Sequence, residues 1–380
     1  MSRVAETDVI IIGGGIVGAS AALMLALRGQ RVVLLERDFC GSRSSGVNYG
    51  GVRRQGRSLV QLPLSQRAHE LWSDLPGLIG IDGEYVRSGH LKLARSDTDM
   101  AKLHAWADAA ADFDLGVELL DHGQLRQRFA WVGDVAVGAS LCSGDGHANP
   151  RLVSPAFAAA ARHAGARIVE QVQPLAFDHD GQVFVVSCSN GERLRAPWLL
   201  NCAGAWANHI AEQFGEHVPM TSGHPAMLVT EPLPVVMDVS TGVEGGGIYA
   251  RQVARGNCVL GGGQGFALDP LRARPGQLAT LDILRNAVEL YPFLHGAQAS
   301  RTWSGTEGYL PDREPVIGHS QVQPGLIHAF GFAGAGFQIG PAVGEALSQL
   351  VVEGRSRAAI DAFSIQRFSP LELHKGRSLS

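Results

Sequence analysis

The chain has 380 residues, of which 45% are hydrophobic, so it has enough apolar material for more than one buried core and is not a disordered chain. Its formal net charge of −4 excludes the broad basic field that attracts nucleic acid or anionic membranes, and favours a small-molecule partner. Five widely spaced cysteines without a C-x-x-C pair exclude a zinc ribbon or a redox disulfide, and no metal site is predicted.

The first forty residues predict a unit of strand, helix and strand. A β-branched run over residues 8–12 predicts a strand buried on both faces, helix formers follow over residues 16–28, and residues 32–35 predict a second parallel strand. Charges of both signs directly precede the first strand, and the apolar stretch over residues 16–27 is too short to span a bilayer. We therefore expect a cytoplasmic protein without a cleaved signal or a membrane span.

The later elements predict an α/β fold in which a doubly wound, Rossmann-type domain is interrupted by a second domain. Asn149 followed by Pro150 predicts the start of a helix, with an N-cap side chain and a proline at the first helical position. Short strands dominate residues 219–301, which indicates a mostly antiparallel α+β insertion. A strand, a glycine-rich turn and a helix over residues 325–354 then predict a return to the parallel sheet.

The glycines after the first predicted strand form a G-x-G-x-x-G motif. Gly13 permits a tight turn, Gly15 lets backbone N–H groups reach a pyrophosphate, and Gly18 lets the helix pack closely on the strand. Glu36 ends the next strand, where it can accept a hydrogen bond from the adenosine ribose and would repel a 2′-phosphate. The motif predicts a site for FAD or NAD and not for NADP. Further contacts predicted beside it are Ile16, Val17 and Arg37.

Two further glycine clusters favour FAD over NAD. Residues 49–51 follow the first unit and residues 331–336 lie near the C-terminus, so three distant segments indicate an extended, buried cofactor. The second cluster leads into a helix predicted over residues 340–353, whose N-terminal dipole favours negative charge. A flavin gains negative charge on its pyrimidine side when it is reduced, whereas nicotinamide does not. We therefore predict FAD.

Several segments resemble the family of D-amino-acid oxidase, glycine oxidase and sarcosine oxidase, along nearly the whole chain. They are GGGIVGAS with LLER, SRSSGVNYGG, DGHANPRLV, LLNCAGAWA, GIYAR, WSGTEGYLPDREPVIG and GFAGAGFQIGPAVG. Together with the element pattern, the resemblance implies an FAD-binding domain of residues 1–85, 140–218 and 315–380. The implied substrate-binding domain then comprises residues 86–139 and 219–314.

The resemblance also implies where the chain contacts FAD. It places Ser44 and Ser45 beside the phosphate and ribitol, and the backbone of Val172 at the adenine, although either serine is equally well explained as a turn residue. The other implied contacts lie against the ring at residues 49–51, around the far end of the flavin at residues 333–338, and at three residues after the strand that ends near residue 202. They are Tyr49, Gly50, Gly51, Ala203, Gly204, Trp206, Ala333, Gly334, Ala335, Gly336, Phe337 and Gln338.

Departures from the family pattern alter the expected chemistry. Glu307 stands where glycine oxidase and D-amino-acid oxidase carry an arginine for the substrate carboxylate. Gly305 lies near the position of the cysteine that holds flavin covalently in some sarcosine oxidases, so we expect non-covalent FAD. The lysine with which those oxidases activate oxygen has no counterpart in the segment CVLGGGQ, which favours another electron acceptor.

The segments SGVNYGGVRRQGRS and GTEGYLPDREPVIG look most like the FAD-bearing β subunits of opine and D-hydroxyproline dehydrogenases. This resemblance implies an enzyme that oxidises the C–N bond of an amino acid. Its substrate would be a secondary amino acid such as an opine, D-hydroxyproline or a sarcosine-like amine, which passes a hydride to flavin N5 and becomes an imine. The resemblance also implies partner subunits that receive the electrons.

The candidates for the substrate site come from three segments. Tyr249 matches a family position whose hydroxyl reaches substrate, although an aromatic residue on a strand is as often part of the core. Glu307 and Tyr309 belong to a loop expected over the flavin ring, where Glu307 holds either a cationic amine or a salt bridge. Arg53 and Arg54 are alternative partners for a substrate carboxylate, and either is otherwise a structural ion pair.

Other functions fit part of the same pattern. An oxygen-using amino-acid oxidase of the glycine or sarcosine oxidase type needs a cation near the flavin, which Arg53 or Arg54 would supply. A non-catalytic subunit that only holds FAD would keep the flavin contacts, but no substrate would reduce its flavin. A pyridine-nucleotide disulfide reductase fits poorly, because Phe266 occupies the last glycine position of a second fingerprint and no paired cysteine motif is present.

Overall fold

The computed structural model describes residues 4–369, and a six-stranded sheet forms its centre. Neighbouring strands of this sheet run parallel, except at the edge where Val316–His319 pairs antiparallel with Leu326–Phe330. The strand order is Val316–His319, Leu326–Phe330, Trp198–Asn201, Val9–Ile12, Val32–Leu35 and Arg167–Val169. The predicted opening unit and the predicted return of the C-terminal segment to the parallel sheet are therefore confirmed.

The two faces of this sheet are covered by different layers. Alternate residues of the first strand, such as Val9 and Ile11, pack among helices, whereas Ile10 and Ile12 pack against a four-stranded sheet. The strands of that second sheet are, in order, Val4–Glu6, Arg193–Ala196, Phe184–Cys188 and Pro174–His179. Burial on both faces explains why the first strand is a continuous β-branched run rather than an alternating one.

The helical layer is built on the helix Ile16–Leu27, which packs against Pro150–His163 and Gly336–Glu353. The Asn149 side chain accepts a hydrogen bond from the backbone N–H of Arg151, which confirms the predicted N-cap. The last helix begins at Gly336, earlier than the predicted residue 340, because the glycine-rich turn itself continues into the helix. The other helices are Ser44–Val47, Leu62–Ser73, Leu75–Ile79, Asp97–Ala109, His122–Arg128, Ala207–Gln213 and Gln277–Leu290.

An eight-stranded, mostly antiparallel sheet forms a separate layer with its own core. Its strand order is Ala299–Ser304, Pro225–Pro232, Asn257–Gln264, Tyr249–Gln252, Ser240–Val243, His90–Ala94, Gly138–Cys142 and Val117–Asp121. The helix Gln277–Leu290 packs against this sheet. Three short strand pairs complete the fold: Gly51–Val52 with Gly146–His147, Thr221–Gly223 with Glu307–Tyr309, and Phe266–Asp269 with Arg272–Arg274.

The division of the chain between the two large sheets follows the predicted alternation of domains, with one difference. The strand Gly138–Cys142 belongs to the eight-stranded sheet, whereas we placed residues 140–218 in the first domain. The exact domain boundaries stay a prediction, and residues 1–3 and 370–380 lie outside the described part. Within residues 4–369, no helix combines the length and the apolar character that crossing a membrane requires.

Candidate cofactor and substrate site

A cavity of about 440 Å³ opens at the carboxyl ends of the parallel strands. Four strands of the six-stranded sheet reach it through residues near their carboxyl ends. These residues are Ile12, Leu35, Cys202 and Ala329. Open α/β sheets bind their ligands in this position, because the connecting loops diverge there and leave a crevice. The cavity is therefore the candidate cofactor site.

The fingerprint glycines shape the floor of this cavity. Gly13 has a φ of +105°, and a Cβ atom there would lie 2.4 Å from the carbonyl oxygen of Cys202. A Cβ atom on Gly18 would lie 2.0 Å from the carbonyl oxygen of Gly13, so Gly18 acts by packing and does not border the cavity. Gly15 borders it beside Ser45, whose hydroxyl accepts a hydrogen bond from the Ile16 N–H at 2.9 Å.

Glu36 borders the cavity at the end of the second parallel strand and is only 8% exposed. Its Oε2 accepts a hydrogen bond from Gly14 N at 2.7 Å, and its Oε1 accepts one from Asp38 N at 2.8 Å. A carboxylate has about four acceptor sites, so these two bonds leave capacity for a ligand hydroxyl. The arrangement fits the predicted ribose contact while it also fixes the glycine turn.

A cation–π pair and a hairpin enclose the same end of the cavity. The Arg37 guanidinium carbon lies 3.8 Å from the centroid of the Trp206 ring, and both residues border the cavity. Trp206 Nε1 donates a hydrogen bond to the carbonyl oxygen of Pro270 at 2.9 Å, and Arg43 donates one to that of Leu271. The hairpin formed by Phe266–Asp269 and Arg272–Arg274 therefore covers one end of a cavity that lies mainly at the six-stranded sheet.

The glycine cluster of residues 331–336 forms another part of the cavity wall. Ala333 has a φ of +47° and Gly334 a φ of +84°, and this left-handed turn leads into the helix that begins at Gly336. Ala333, Gly334, Gly336 and Phe337, for which the resemblance implies FAD contacts, border the cavity. The first and last helices of the fold therefore both begin at one cavity, and helix N-termini stabilise negative charge. This arrangement fits a long dinucleotide with a pyrophosphate and a second electron-rich group, as FAD has.

Some predicted cofactor contacts lie behind the cavity wall rather than on it. Gln338 is buried against the helix Leu62–Ser73, where its side-chain amide donates to the carbonyl oxygen of Ser65 at 2.9 Å. The Val172 N–H donates to the carbonyl oxygen of Glu36 at 3.0 Å, whereas the next residues along the chain border the cavity. Ala335 faces inward between two lining glycines and is 2% exposed.

The predicted ring contacts at residues 49–51 contact the eight-stranded sheet and a short strand pair. The Tyr49 hydroxyl donates to the carbonyl oxygen of Ala250 at 2.5 Å, and the Tyr49 carbonyl oxygen accepts from Arg251 Nε at 2.8 Å. Gly50 has a φ of +88°, and Gly51 pairs with His147. None of residues 49–51 is among the cavity-lining residues, so their contact with the flavin stays a prediction.

A second set of residues that border the cavity could not all be predicted from the sequence. The residues at strand ends could have been predicted, because ligands bind at the carboxyl edge of a parallel sheet. The others depend on tertiary contacts that leave no local pattern. The lining residues that were not predicted are Ile12, Leu35, Arg43, Asn48, Gln173, Pro174, Phe177, Cys202, Ala205, His209, Ile210, Leu271, Gly308 and Ala329.

Glu307 begins the short strand Glu307–Tyr309, which pairs with Thr221–Gly223 at the edge of the cavity. Glu307 and Gly308 border the cavity, and Glu307 Oε2 accepts a hydrogen bond from the Tyr309 hydroxyl at 2.8 Å. A Cβ atom placed on Gly334 would lie 3.8 Å from the same oxygen. Burial raises the pKa of Glu307, and burial together with the Glu307 carboxylate raises that of Tyr309.

Arg53 and Arg54, which the sequence left as alternatives, have different surroundings. Arg54 Nε lies 3.1 Å from Asp145 Oδ1, and this ion pair is buried. Arg53 donates to the carbonyl oxygen of Gln55, and within residues 4–369 no carboxylate oxygen lies within 4.0 Å of its guanidinium nitrogens. Burial lowers the pKa of Arg53, while the negative charge of Asp145 partly offsets this. Arg53 is therefore the arginine with binding capacity for a ligand.

Tyr249 lies at the start of the strand Tyr249–Gln252 of the eight-stranded sheet. Its ring lies edge-on to that of Tyr49, with centroids 4.9 Å apart. The Tyr249 hydroxyl contacts Met227 Sδ at 3.6 Å, and burial raises its pKa, with the Glu307 charge as the next largest cause. Arg53 and Tyr249 are both half-buried.

Comparison with known proteins agrees with this architecture. The family model described as FAD dependent oxidoreductase (DAO) matches residues 8–350. Glycine oxidase of Geobacillus kaustophilus is 26% identical over 372 residues, which cover 95% of this chain and 97% of that protein. An opine oxidase subunit of Rhizobium meliloti is 26% identical, with 96% and 98% covered. Mouse mitochondrial sarcosine dehydrogenase is 24% identical over 95% of this chain, which spans 41% of that longer protein.

Solved structures share the fold. The crystal structure of glycine oxidase from Geobacillus kaustophilus has a TM-score of 0.89 at 24% identity, with 96% of this chain and 99% of that chain covered. The structure of L-proline dehydrogenase from P. horikoshii also has a TM-score of 0.89 at 24% identity, with 97% and 98% covered. Because the family model covers most of the chain, this protein belongs to the DAO family of FAD-dependent oxidoreductases.

Proposed function

We propose that this protein oxidises the C–N bond of an amino acid, and specifically of a secondary amino acid such as an opine, D-hydroxyproline or a sarcosine-like amine. The observation that carries the proposal is Glu307 on the cavity wall, which accepts a hydrogen bond from the Tyr309 hydroxyl. Arg53 supports it, because its guanidinium has no carboxylate partner within the described chain. Relatives named for glycine, opines and sarcosine support the substrate class.

FAD held at the cavity would supply the hydride acceptor for the carbon that bears the neutral amine, and water would hydrolyse the protonated imine that this leaves. The protein supplies orientation and a dry site. Arg53 holds the substrate carboxylate, because a guanidinium matches a carboxylate through two parallel hydrogen bonds. Glu307 faces the amine and accepts a hydrogen bond from it, while the Tyr309 hydroxyl fixes the position of the Glu307 carboxylate. Tyr249 closes the space from the side of the eight-stranded sheet.

We further propose that the electrons pass to an acceptor other than oxygen, through partner subunits. The basic residues that border the cavity are Arg37, Arg43 and His209, and the first two lie at the Trp206 end rather than beside Glu307. The relative named as an opine oxidase subunit supports a heteromeric complex. An oxygen-using oxidase is the second candidate, because the uncompensated Arg53 charge would stabilise superoxide in a dry site.

Replacement of Arg53 tests the proposed substrate site. We expect Arg53→Gln to raise the apparent Kd of an amino-acid substrate on the order of 30-fold, since loss of a buried charge pair costs about 2 kcal/mol or more. The Kd is measured from the substrate dependence of flavin bleaching in anaerobic stopped flow. Arg301→Gln, which removes an exposed arginine, serves as the control and should leave the Kd unchanged. An unchanged Kd in Arg53→Gln would refute the role of Arg53.

A further inference from the structure

The hairpin of residues 266–274, called the cavity hairpin below, has little buried surface of its own. All its residues are exposed or only partly buried, and Phe266 is 51% exposed. Its turn is closed locally, because Asp269 Oδ1 accepts hydrogen bonds from the backbone N–H groups of Leu271 and Arg272 at 2.8 and 2.9 Å. The cavity hairpin is therefore a preformed unit whose position depends on the hydrogen bonds that it makes with other segments.

Two hydrogen bonds attach the cavity hairpin to the wall of the cofactor cavity. Trp206 Nε1 donates to the carbonyl oxygen of Pro270 at 2.9 Å, and the Arg43 guanidinium donates to that of Leu271. Trp206, Arg43 and Leu271 all border the cavity. The cavity hairpin follows the strand Asn257–Gln264 of the eight-stranded sheet, whereas both donors lie in segments that leave the six-stranded sheet. The attachment therefore joins the two layers across one end of the cavity.

Both donors are held by the residues at the predicted ribose contact. Arg43 Nε donates to Asp38 Oδ2 at 2.8 Å, and the Asp38 N–H donates to Glu36 Oε1 at 2.8 Å. The Arg37 guanidinium, which follows Glu36 directly, lies over the Trp206 ring at 3.8 Å. A chain of hydrogen bonds thus runs from Glu36 to the cavity hairpin. A ligand hydroxyl bound by Glu36 would stabilise this chain.

Arg43 borders the cavity but is engaged by the protein itself. All three of its guanidinium nitrogens donate hydrogen bonds, two to the Asp38 carboxylate and one to the Leu271 carbonyl oxygen. Its charge is balanced by this ion pair. The place of Arg43 on the cavity wall is therefore explained by the hairpin that it holds, rather than by an anion that it awaits.

The cavity hairpin covers a site that a long cofactor must enter and leave. Two hydrogen bonds at a partly exposed place stabilise the closed position only modestly, so the open position is accessible. We propose that the cavity hairpin is a clasp for the adenosine half of FAD, and that Trp206 and Arg43 close it over the bound cofactor. Both are positioning residues. The inference concerns retention of the cofactor, and it holds whichever substrate is oxidised.

Replacement of Trp206 by phenylalanine tests the clasp, because it keeps an aromatic ring beside Arg37 but removes the N–H donor to Pro270. We expect FAD to dissociate from Trp206→Phe about fivefold faster, the factor that one ordinary hydrogen bond contributes. The rate is measured from the rise of flavin fluorescence after dilution of the FAD-loaded protein. Trp131→Phe is the matched control, since Trp131 Nε1 donates to Asp238 at 3.3 Å, away from the cavity, and its FAD release should be unchanged.

Limited proteolysis tests the opening itself. The Arg272 side chain is 73% exposed, and trypsin cleaves after it once the hairpin can leave the cavity wall. Bound FAD should slow this cleavage several-fold relative to the FAD-free protein, whereas cleavage after Arg255, in an exposed turn of the eight-stranded sheet, should not change. In Trp206→Phe the protection of Arg272 by FAD should decrease. A tryptophan that only formed part of the wall would leave this protection intact.

Each measurement can overturn the clasp. Equal rates of FAD release from Trp206→Phe and the unmodified protein would do so, and so would equal acceleration in Trp131→Phe. Cleavage after Arg272 that is independent of FAD would also refute it. If Trp206→Phe retains too little FAD for its release to be followed, the cleavage of the unmodified protein with and without FAD decides. Failure of every amine to reduce the flavin would refute the proposed function but would leave both of these measurements valid.

Discussion

Glu36 has two roles at the residue scale, because it binds the protein backbone and also borders the cofactor cavity. Its hydrogen bonds to Gly14 N and Asp38 N hold the turn on which a pyrophosphate would lie. Its remaining acceptor capacity faces the cavity. Replacement of this side chain should therefore weaken FAD binding through the ribose contact and through a looser turn.

We predict that Glu36→Ala weakens FAD binding by about 1.5–3 kcal/mol, the range for a lost hydrogen bond to a charged group. The Kd of the apoprotein for FAD, measured by quenching of flavin fluorescence, checks this. Substrate preference should stay the same, because Glu36 lies away from Arg53. Glu289→Ala, at an exposed position in the other layer, is the matched control. An unaltered Kd in Glu36→Ala would rule out the ribose contact.

The different surroundings of Arg53 and Arg54 could not be predicted from the sequence. Arg53 and Arg54 are adjacent, and nothing local separates an anion-binding arginine from a structural one. The difference comes from Asp145, which lies far along the chain and reaches Arg54 only in the fold. The fingerprint glycines could be predicted because the reason for each is local: a tight turn, a backbone approach or close packing.

At the scale of elements, the first and last helices contact each other through glycines. A Cβ atom on Gly344 would lie 2.5 Å from Ser20 Cβ and 2.6 Å from the backbone nitrogen of Ala21. Gly340 approaches Ile16 in the same way, at 2.8 Å from its Cγ2 atom. This close contact sets the spacing of the two helix N-termini that border the cavity.

Gly344→Ala should therefore destabilise the fold, by about 1–3 kcal/mol, because an added methyl group overpacks this contact. Urea unfolding of the apoprotein, followed by circular dichroism, measures the loss. Val352→Ala, at an exposed position of the same helix, should change stability by no more than about 0.5 kcal/mol. If both variants unfold at the same urea concentration as the unmodified protein, the two helices are not tightly packed at Gly344.

The start of the last helix and the position of one hairpin depend on tertiary contacts, so neither could be predicted from the sequence. The last helix begins at Gly336 rather than at residue 340, because tertiary contacts of Phe337 and the buried turn outweigh the low helix propensity of glycine. The hairpin at Phe266–Asp269 reaches the cofactor cavity through the hydrogen bond from Trp206 to Pro270, a contact between distant segments. Strands with a uniform apolar run were predictable because burial on both faces leaves a local pattern.

At the scale of the whole molecule, the cofactor should be held by shape and hydrogen bonds alone. The cysteine that borders the cavity is Cys202, and burial raises the pKa of its thiol to about 12, so the nucleophilic thiolate is scarce. Acid precipitation should release all yellow colour into the supernatant. Colour retained in the pellet would reveal a covalent flavin and contradict the interpretation of Gly305.

The choice of electron acceptor for the reduced flavin depends on the charge of the whole site. If the substrate carboxylate balances Arg53, little positive charge is left to stabilise superoxide, so oxygen should react slowly. Turnover with a quinone or phenazine dye should then greatly exceed turnover with oxygen. Stopped-flow mixing of substrate-reduced enzyme with air-saturated buffer checks this, and rapid reoxidation with peroxide release would instead identify an oxidase that needs no partner subunit.

The central claim is that the bound FAD takes electrons from the C–N bond of an amino acid, and anaerobic bleaching tests it most directly. The FAD-loaded protein is mixed without oxygen with opines, prolines, iminodiacetate, sarcosine and D-amino acids, and the absorbance of the flavin is followed together with the carbonyl product. We predict that a secondary amino acid bleaches the flavin and yields product equimolar with FAD. Flavin that dithionite bleaches but that none of these amines reduces would contradict the account and indicate a subunit that only holds FAD.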